Sequence, residues 1–310
     1  MRIAVLAGGV GGARFVQALT EFVDARDVTV VANVGDDLEV HGLYVSPDLD
    51  TLLYTLAGLA DEGRGWGRAG ETWNASETIE LLGGETWFQL GDRDLGLHLV
   101  RTEALRRGEP LSRVTGKIAR AVGLELTLLP ATDDRLRTLV RTPAGELEFQ
   151  EWFVARGHRD RVDEVVYDGA ATATAAPGVL EALDEAELIA IAPSNPFVSI
   201  GPIVAIEDVR AAVERRRERV VAVSPLIGGR AVKGPAAAMF ESLAGGTSAA
   251  QVTDCYKALA DSLVLDEADA DDAEQVAERG VRPLVTRTLM SEQDARHALI
   301  ETVLGLVPTS

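Results

Sequence analysis

The chain opens on a short apolar run that stops abruptly in glycine. Arg2 to Ala7 reads as a buried strand, and Gly8-Gly9-Val10-Gly11-Gly12 follows it directly. Phe15, Val16, Leu19 and Phe22 then recur at spacings of three and four, which places them on one face of a helix. Val28 to Ala32 is a second strand, ending in Asn33-Val34-Gly35-Asp36-Asp37. A strand, a glycine turn, an amphipathic helix and a second strand form the opening βαβ unit of an open α/β sheet.

From Ser46 to Val122 the pattern changes to successive helices with few β-branched runs. Ser46-Pro47 starts the first of them, with Ser as N-cap and Pro as the first helical residue, and Leu52, Leu53, Leu56 and Ala60 form its buried face. Further helices are expected over 76–82, 95–107 and 113–122. Strands return at 126–129 and in a hairpin, 137–141 with 146–154, that turns at Pro143-Ala144-Gly145. Segments 165–167, 188–192, 220–223, 263–265 and 283–286 continue as strands, separated by helices such as 205–216 and 293–304. The expected fold is α/β: a doubly wound, mostly parallel, Rossmann-like three-layer sheet. Residues 1–45 and 124–310 would form the core, and 46–123 a helical insertion contributing to the site.

With 310 residues, 46% of them hydrophobic, the chain can bury a large core. Its 30 Lys and Arg against 49 Asp and Glu leave a net charge of −19. That balance argues against a nucleic-acid binder, which needs a basic stripe to neutralise phosphates. Screening beyond ~8 Å still lets a local group of amides, Arg side chains and a metal hold a small anion. No apolar stretch approaches the ~18 residues of a membrane span, and no cleavage-site pattern follows Met1-Arg2, so a cytoplasmic location with no membrane partner is expected. Cys255 has no cysteine to pair with, and with His41, His98, His158 and His297 it forms no zinc-type spacing. Cys255 reads as a packing residue, and the four histidines as satisfied or solvated side chains.

In such a sheet, ligands lie beyond the carboxyl ends of the strands. Four post-strand loops therefore matter: 8–12, 33–37, 193–196 and 224–230. Glycine has no Cβ, so Gly9, Val10, Gly11 and Gly12 can bring backbone amides close to a phosphate at a helix start. In isolation this pattern equally describes a tight turn without ligand. Counted from Gly9, the last position of a GxGxxG/A fingerprint is Arg14, and no GxxxxGK[ST] occurs.

Ser46-Pro47-Asp48-Leu49-Asp50-Thr51 places two carboxylates at a helix start, where they serve either the helix dipole or a hard cation such as Mg²⁺. Residues two apart on a helix point roughly 200° apart. Both therefore face one metal only if the helix begins later than Ser46, which favours Asp50 over Asp48. Gly91-Asp92-Arg93-Asp94, after Trp87-Phe88-Gln89-Leu90, is either a salt-bridged cap or a wall for an aromatic ring with Arg93 opposite a phosphate.

Taken together, these segments resemble the deazaflavin phospholactate/phosphoenolpyruvate transferases of coenzyme F420 biosynthesis along nearly the whole chain. The resemblance is carried by 6–14 (LAGGVGGAR), 33–37 (NVGDD), 41–43 (HGL) and 47–51 (PDLDT). It continues through 90–94 (LGDRD), 98–102 (HLVRT), 149–152 (FQEW) and the APSNP and SIGPI segments between 192 and 203. It implies a Mg²⁺-dependent transfer from a guanosine diphosphate ester to the terminal ribityl hydroxyl of the deazaflavin Fo. GMP would leave and a phosphodiester form, giving F420-0 or its dehydro form. Such a reaction needs alignment and charge neutralisation more than a covalent nucleophile.

The resemblance assigns Asp50, Gln89, Gly91 and Asp92 to the acceptor, and Asp50, Asp48 and Arg93 to catalysis. Asp50, Asp48, Asp36 and Asp37 are the metal candidates. Gly9 to Gly12, Asn33, Ser194, Asn195, Ser224 and Gly228 fall on the donor side. A homodimer is expected from the family. Lactyl and enolpyruvyl donors differ by two hydrogens and stay open, with bacterial context favouring enolpyruvyl. The rival reading is a nucleotide-sugar-binding regulatory protein of the related gluconeogenesis-factor branch. Its glycine- and serine-rich segment after the acidic pair is replaced here by Leu38-Glu39-Val40-His41-Gly42. A nicotinamide dehydrogenase lacks support, since the glycine fingerprint is incomplete and no acidic residue sits on the second strand at the ~20-residue spacing such enzymes use.

Overall fold

The computed structural model describes residues 1–232 and 234–307; residues 308–310, the end of the core segment expected from sequence, lie outside the described residues. Seven parallel strands form the central sheet: β1 (Ile3–Ala7), β2 (Val28–Ala32), β3 (Thr127–Pro130), β4 (Leu188–Ile191), β5 (Val220–Val223), β6 (Ser262–Asp266) and β7 (Arg282–Thr286). Their order across the sheet is β7-β6-β5-β4-β1-β2-β3, and every pairing is parallel. The order reverses between β1 and β4, and in open α/β sheets ligands bind at the carboxyl edge of such a switch point.

Alternation along β1 shows how the layers form. Ala4 and Leu6 join the core on one face, beneath helices that include Val179–Glu185 and Glu207–Arg215. Ile3, Val5 and Ala7 join the core on the other face, with Phe15, Val16 and Leu19 of α1 (Gly9–Leu19) and Leu49, Leu52 and Leu53 of α2 (Pro47–Leu56). Burial on both faces explains the continuous apolar strands. Three more helices, α3 (Asn74–Leu81), α4 (Asp92–Arg106) and α5 (Leu111–Ala121), follow α2 before the chain re-enters the sheet at β3.

Several expected elements differ in detail. Residues 165–167 are in a strand, Glu164–Asp168, but it pairs antiparallel with Arg137–Thr142 in a separate three-stranded sheet. The second arm of the expected hairpin stops at Glu148, and a π-helical turn over Glu151–Ala155 follows. There Trp152 turns inward, 1% exposed, and its indole N–H donates to the Asp160 carbonyl. The helix expected over 205–216 spans Glu207–Arg215, after a separate short helix over Gly201–Val204. Phe22 falls beyond the end of α1 and is 37% exposed, edge-on to His297.

Candidate functional site

At the switch point the loops after β1 and β4 pack directly on one another. The Ser194 hydroxyl donates to the Gly8 carbonyl at 2.8 Å. A methyl group on Gly11 would meet the Pro193 carbonyl oxygen at 2.6 Å, and one on Gly12 would meet Ser194 Oγ at 2.7 Å. Three of the glycines thus allow close packing within the protein: the loop after β4 lies against Gly11 and Gly12, and Asp48 against Gly8, where a Cβ would lie 2.3 Å from its Oδ2. Gly9 has φ +66°, a conformation that disfavours a side chain. The first turn of α1 has neither a capping side chain nor an acidic residue of its own, and the carboxylate that meets its Gly9 amide comes from Asp48 on α2.

Asp48 and Asp50 lie in the first turn of α2 and diverge. Asp48 accepts from Asn33 Nδ2 at 2.9 Å and from the Gly9 amide, beside the glycine turn. Asn33 is fully buried and also donates to the Val198 carbonyl, while its own oxygen accepts from the Gly35 amide. Asp36 lies close enough for its charge to interact with that of Asp48. Burial first, then the Asp48 charge, pushes the Asp36 carboxyl well above the usual range. Burial lifts Asp48 to about 6 and Asp37 to about 8. Asp37 accepts from the hydroxyls of Tyr44 (2.8 Å) and Ser46 (2.7 Å), so Ser46 flanks α2 without capping it. The buried Oδ1 atoms of both Asp36 and Asp37 have no protein partner. Each of these two desolvated carboxylates thus keeps a free acceptor position, the kind of oxygen donor a hard cation takes, although among the described residues no group of three or more His, Cys, Asp or Glu side chains is gathered as a metal site.

Asp50 points to α4 instead. Arg101 grips both its oxygens, through Nη1 at 2.9 Å and through a closer Nη2 contact. His98 stands beside them, its Nδ1 3.8 Å from Asp50 Oδ2 and its Nε2 3.2 Å from Asp94 Oδ1. Asp94 also accepts from the Tyr54 hydroxyl. Burial alone would raise the Asp94 carboxyl, but the hydrogen bonds of His98 and Tyr54 outweigh it and hold it below its usual value. Asp50 and Tyr54 on α2 therefore face Asp94, His98 and Arg101 on α4 in one polar ladder. Sequence reasoning named Asp50 and missed Arg101, Tyr54 and the role of His98. The signal available was spacing: 94, 98 and 101 fall on one helical face, as do 50 and 54.

The second charged cluster is largely occupied in holding helices. Asp92 accepts from Thr72 Oγ1, Asn74 Nδ2 and the amides of Asn74 and Ala75, which caps α3; the Thr72 and Asn74 bonds hold its carboxyl down to about 2. Glu71 returns the arrangement, accepting from the amides of Arg93 (2.7 Å) and Asp94 (3.0 Å) at the start of α4. Gly91, the α4 N-cap, leaves room for the Glu71 side chain, which a methyl group would meet at 2.3 Å. Glu71→Ala should therefore lower stability by about 1 kcal/mol, the usual cost of a lost cap, and the melting temperature by about 2 °C. An unchanged calorimetric midpoint would show that α4 needs no such cap. Arg93 is exposed, with its guanidinium over Gly70, and Gln89 is exposed beside buried Leu90.

Of the remaining donor-side positions, Asn195 accepts from the Phe197 amide and its Nδ2 meets the Met239 sulfur at 3.4 Å. The Ser224 hydroxyl accepts from the Leu226 amide. The Gly228 amide, with that of Gly229, is already bound by the Asp269 carboxylate at 2.9 and 3.0 Å. What Gly228 offers a ligand is thus its lack of a side chain. Cys255 is half-buried against the core, and burial pushes its thiol up to about 12, as suits a packing residue. Among the described residues, no helix is long and apolar enough to cross a membrane.

Comparison with known proteins adds a family to this geometry. The profile of the family described as 2-phospho-L-lactate transferase CofD matches residues 3–302. A protein of Streptomyces griseus named phosphoenolpyruvate transferase is 41% identical over 312 residues, covering 99% of this chain and 98% of that protein. Proteins of the same name from Mycolicibacterium smegmatis and Thermobifida fusca are 39% identical over 326 residues (all of both chains) and 44% identical over 285 (87% of this chain, 88% of that protein). Among solved structures, a Bacillus halodurans protein of the UPF0052 family is similar in fold, with a TM-score of 0.65 at 14% identity, covering 98% of this chain and 99% of that one.

Proposed function

The chain belongs to the 2-phospho-L-lactate transferase family, and from that premise we propose that it moves a phosphoenolpyruvyl or phospholactyl group from a guanosine diphosphate ester onto the deazaflavin Fo. The observation that carries this reading is the buried Asp36–Asp48 pair beside the glycine turn that starts α1, at the point where the strand order reverses. The relatives' common name favours the enolpyruvyl donor.

In this reading the donor diphosphate lies over the amides of Gly9 to Gly12, with Asn33, Ser194, Asn195, Ser224 and Gly228 along the nucleotide. Asp36 and Asp48 would hold Mg²⁺, which supplies charge neutralisation at the phosphates. Asp37 stands beside them; Asp50 is less suited to the metal because Arg101 engages both its oxygens. Asp50 instead orients the ribityl hydroxyl of Fo, while Gln89 and the Gly91 turn border the acceptor and the exposed Arg93 is available to the transferred phosphate. The hydroxyl oxygen attacks the phosphorus carrying the three-carbon acid, the bridge to the α-phosphate breaks, GMP leaves, and the hydroxyl proton is released. In-line alignment, rather than a covalent enzyme intermediate, supplies the rate. A homodimer, the commonest closed assembly, completes the proposal.

The test is mass spectrometry of the purified protein with Fo, Mg²⁺ and each guanosine diphosphate ester in turn. Joint release of GMP and a heavier deazaflavin is expected, and the two-hydrogen mass difference identifies the donor. Folded protein that binds a nucleotide sugar and converts neither donor would overturn the transferase reading.

A further inference from the structure

We propose that Arg101 and His98, one turn apart on α4, are positioning residues that fix the Asp50 carboxylate in the orientation from which it meets the acceptor hydroxyl. This deepens the reading of Asp50 given above and rests on it. A carboxylate has about four acceptor positions on its two oxygens. Arg101 takes one on each oxygen through its two terminal nitrogens and so fixes the carboxylate plane as well as its charge. The other positions remain for a substrate hydroxyl. His98, 1% exposed, closes the second side, spanning from Asp50 at 3.8 Å to Asp94 at 3.2 Å, and lies 3.4 Å from Arg101 Nη1.

Helix packing alone does not call for this arrangement. Leu49, Leu52 and Leu53 of α2 are buried and already join α2 to α1 and the sheet in one apolar core. A buried ion pair contributes little stability compared with apolar side chains of the same volume. The pair is also incompletely satisfied, since the buried Arg101 Nε has no partner. An arrangement that is costly to bury and left incomplete serves orientation better than it serves stability.

The test compares wild type, Arg101→Lys, His98→Gln, Asp50→Asn and the double variant Asp50→Asn/Arg101→Lys. Thermal melting, steady-state kinetics with both substrates and Fo affinity by deazaflavin fluorescence are measured on each. Lysine keeps the charge and loses the two-point grip. Arg101→Lys should therefore lower kcat on the order of 10²-fold with donor KM unchanged, and His98→Gln on the order of 10-fold. Both should weaken Fo binding. Added to Asp50→Asn, Arg101→Lys should lower kcat no further, because it acts through Asp50. Arg101→Lys that melts lower and keeps wild-type kcat per folded molecule would reduce the pair to a structural role and overturn the proposal, as would additive losses in the double variant. If Arg101→Lys fails to fold, His98→Gln alone decides by the same criteria. A wild type that binds Fo and releases no GMP defeats the transferase reading instead, and the Fo affinities of the variants then decide the positioning role.

Discussion

Asp48→Asn is expected to make a protein that melts higher than wild type without divalent cation and turns over at least 10²–10³-fold more slowly, roughly the loss seen on removing a single group that stabilises transition-state charge. The two effects share one cause. Asp48 is buried, 7% exposed, close to the charge of Asp36, and its carboxyl is lifted to about 6. Each unit of displacement is about 1.4 kcal/mol held against the ionised fold. At pH 8 the amide should thus recover this penalty, and the melting temperature should rise by a few degrees. The contact to Asn33 survives, since an amide oxygen in the place of Oδ2 can still accept from Asn33 Nδ2. What is lost is the negative charge facing Asp36. Calorimetry at pH 8 and turnover with Fo and donor check both halves. A variant that melts lower while keeping wild-type turnover would make the pair a structural feature and move the cation elsewhere.

The fold was legible where the chain's own periodicity fixes the element. β1 alternates between two cores, as Ala4 and Leu6 against Ile3, Val5 and Ala7 require, and the helix over 293–304 matches its observed bounds. Segment 165–167 reads correctly as strand, but its neighbour is not encoded locally, so its place outside the parallel sheet was not visible. The residues after Glu148 looked like strand because Phe149, Trp152 and Phe153 are apolar and aromatic. Their rings pack on one another around a π-helical turn, and this tertiary contact overrides strand propensity.

The site divides the same way. The divergence of Asp48 and Asp50 follows from helical geometry, and the structure sends one to Asn33 and the other to Arg101. Which of them suits a cation depended on partners about 15 and 50 residues away, which no local pattern reports. Arg93 attracted notice because it stands between two acids, yet Asp92 serves α3 and Asp94 serves His98 and Tyr54. Arg101 was passed over because the partner that gives it meaning lies on another helix. Glu71 was invisible for the same reason: it caps a helix that begins about twenty residues later.

Without divalent cation, the wild-type protein is expected to lose stability as pH rises from about 5 to 8, and Mg²⁺ should restore more of it at pH 8 than at pH 6. The sign follows from linkage. Asp48 titrates near 6 and Asp37 near 8 in the fold, and Asp36 is displaced the same way, against about 4 for an unfolded carboxyl. Across this window the native state keeps protons the unfolded chain has released, so each rise in pH favours unfolding by up to about 1.4 kcal/mol per unit for each such group. The carboxyls held low, such as Asp92 and Asp94, change charge below the window and do not flatten it. A cation favours the ionised pair, so its stabilisation grows as protons leave. Melting curves at pH 5.5, 6.5, 7.5 and 8 with and without Mg²⁺ make the measurement, and Asp36→Asn/Asp48→Asn assigns it, since that variant should lose most of the Mg²⁺ response and the share of the fall that these two groups cause, keeping the share of Asp37. A flat wild-type profile indifferent to Mg²⁺ would mean that this pair neither strains the fold nor holds the metal.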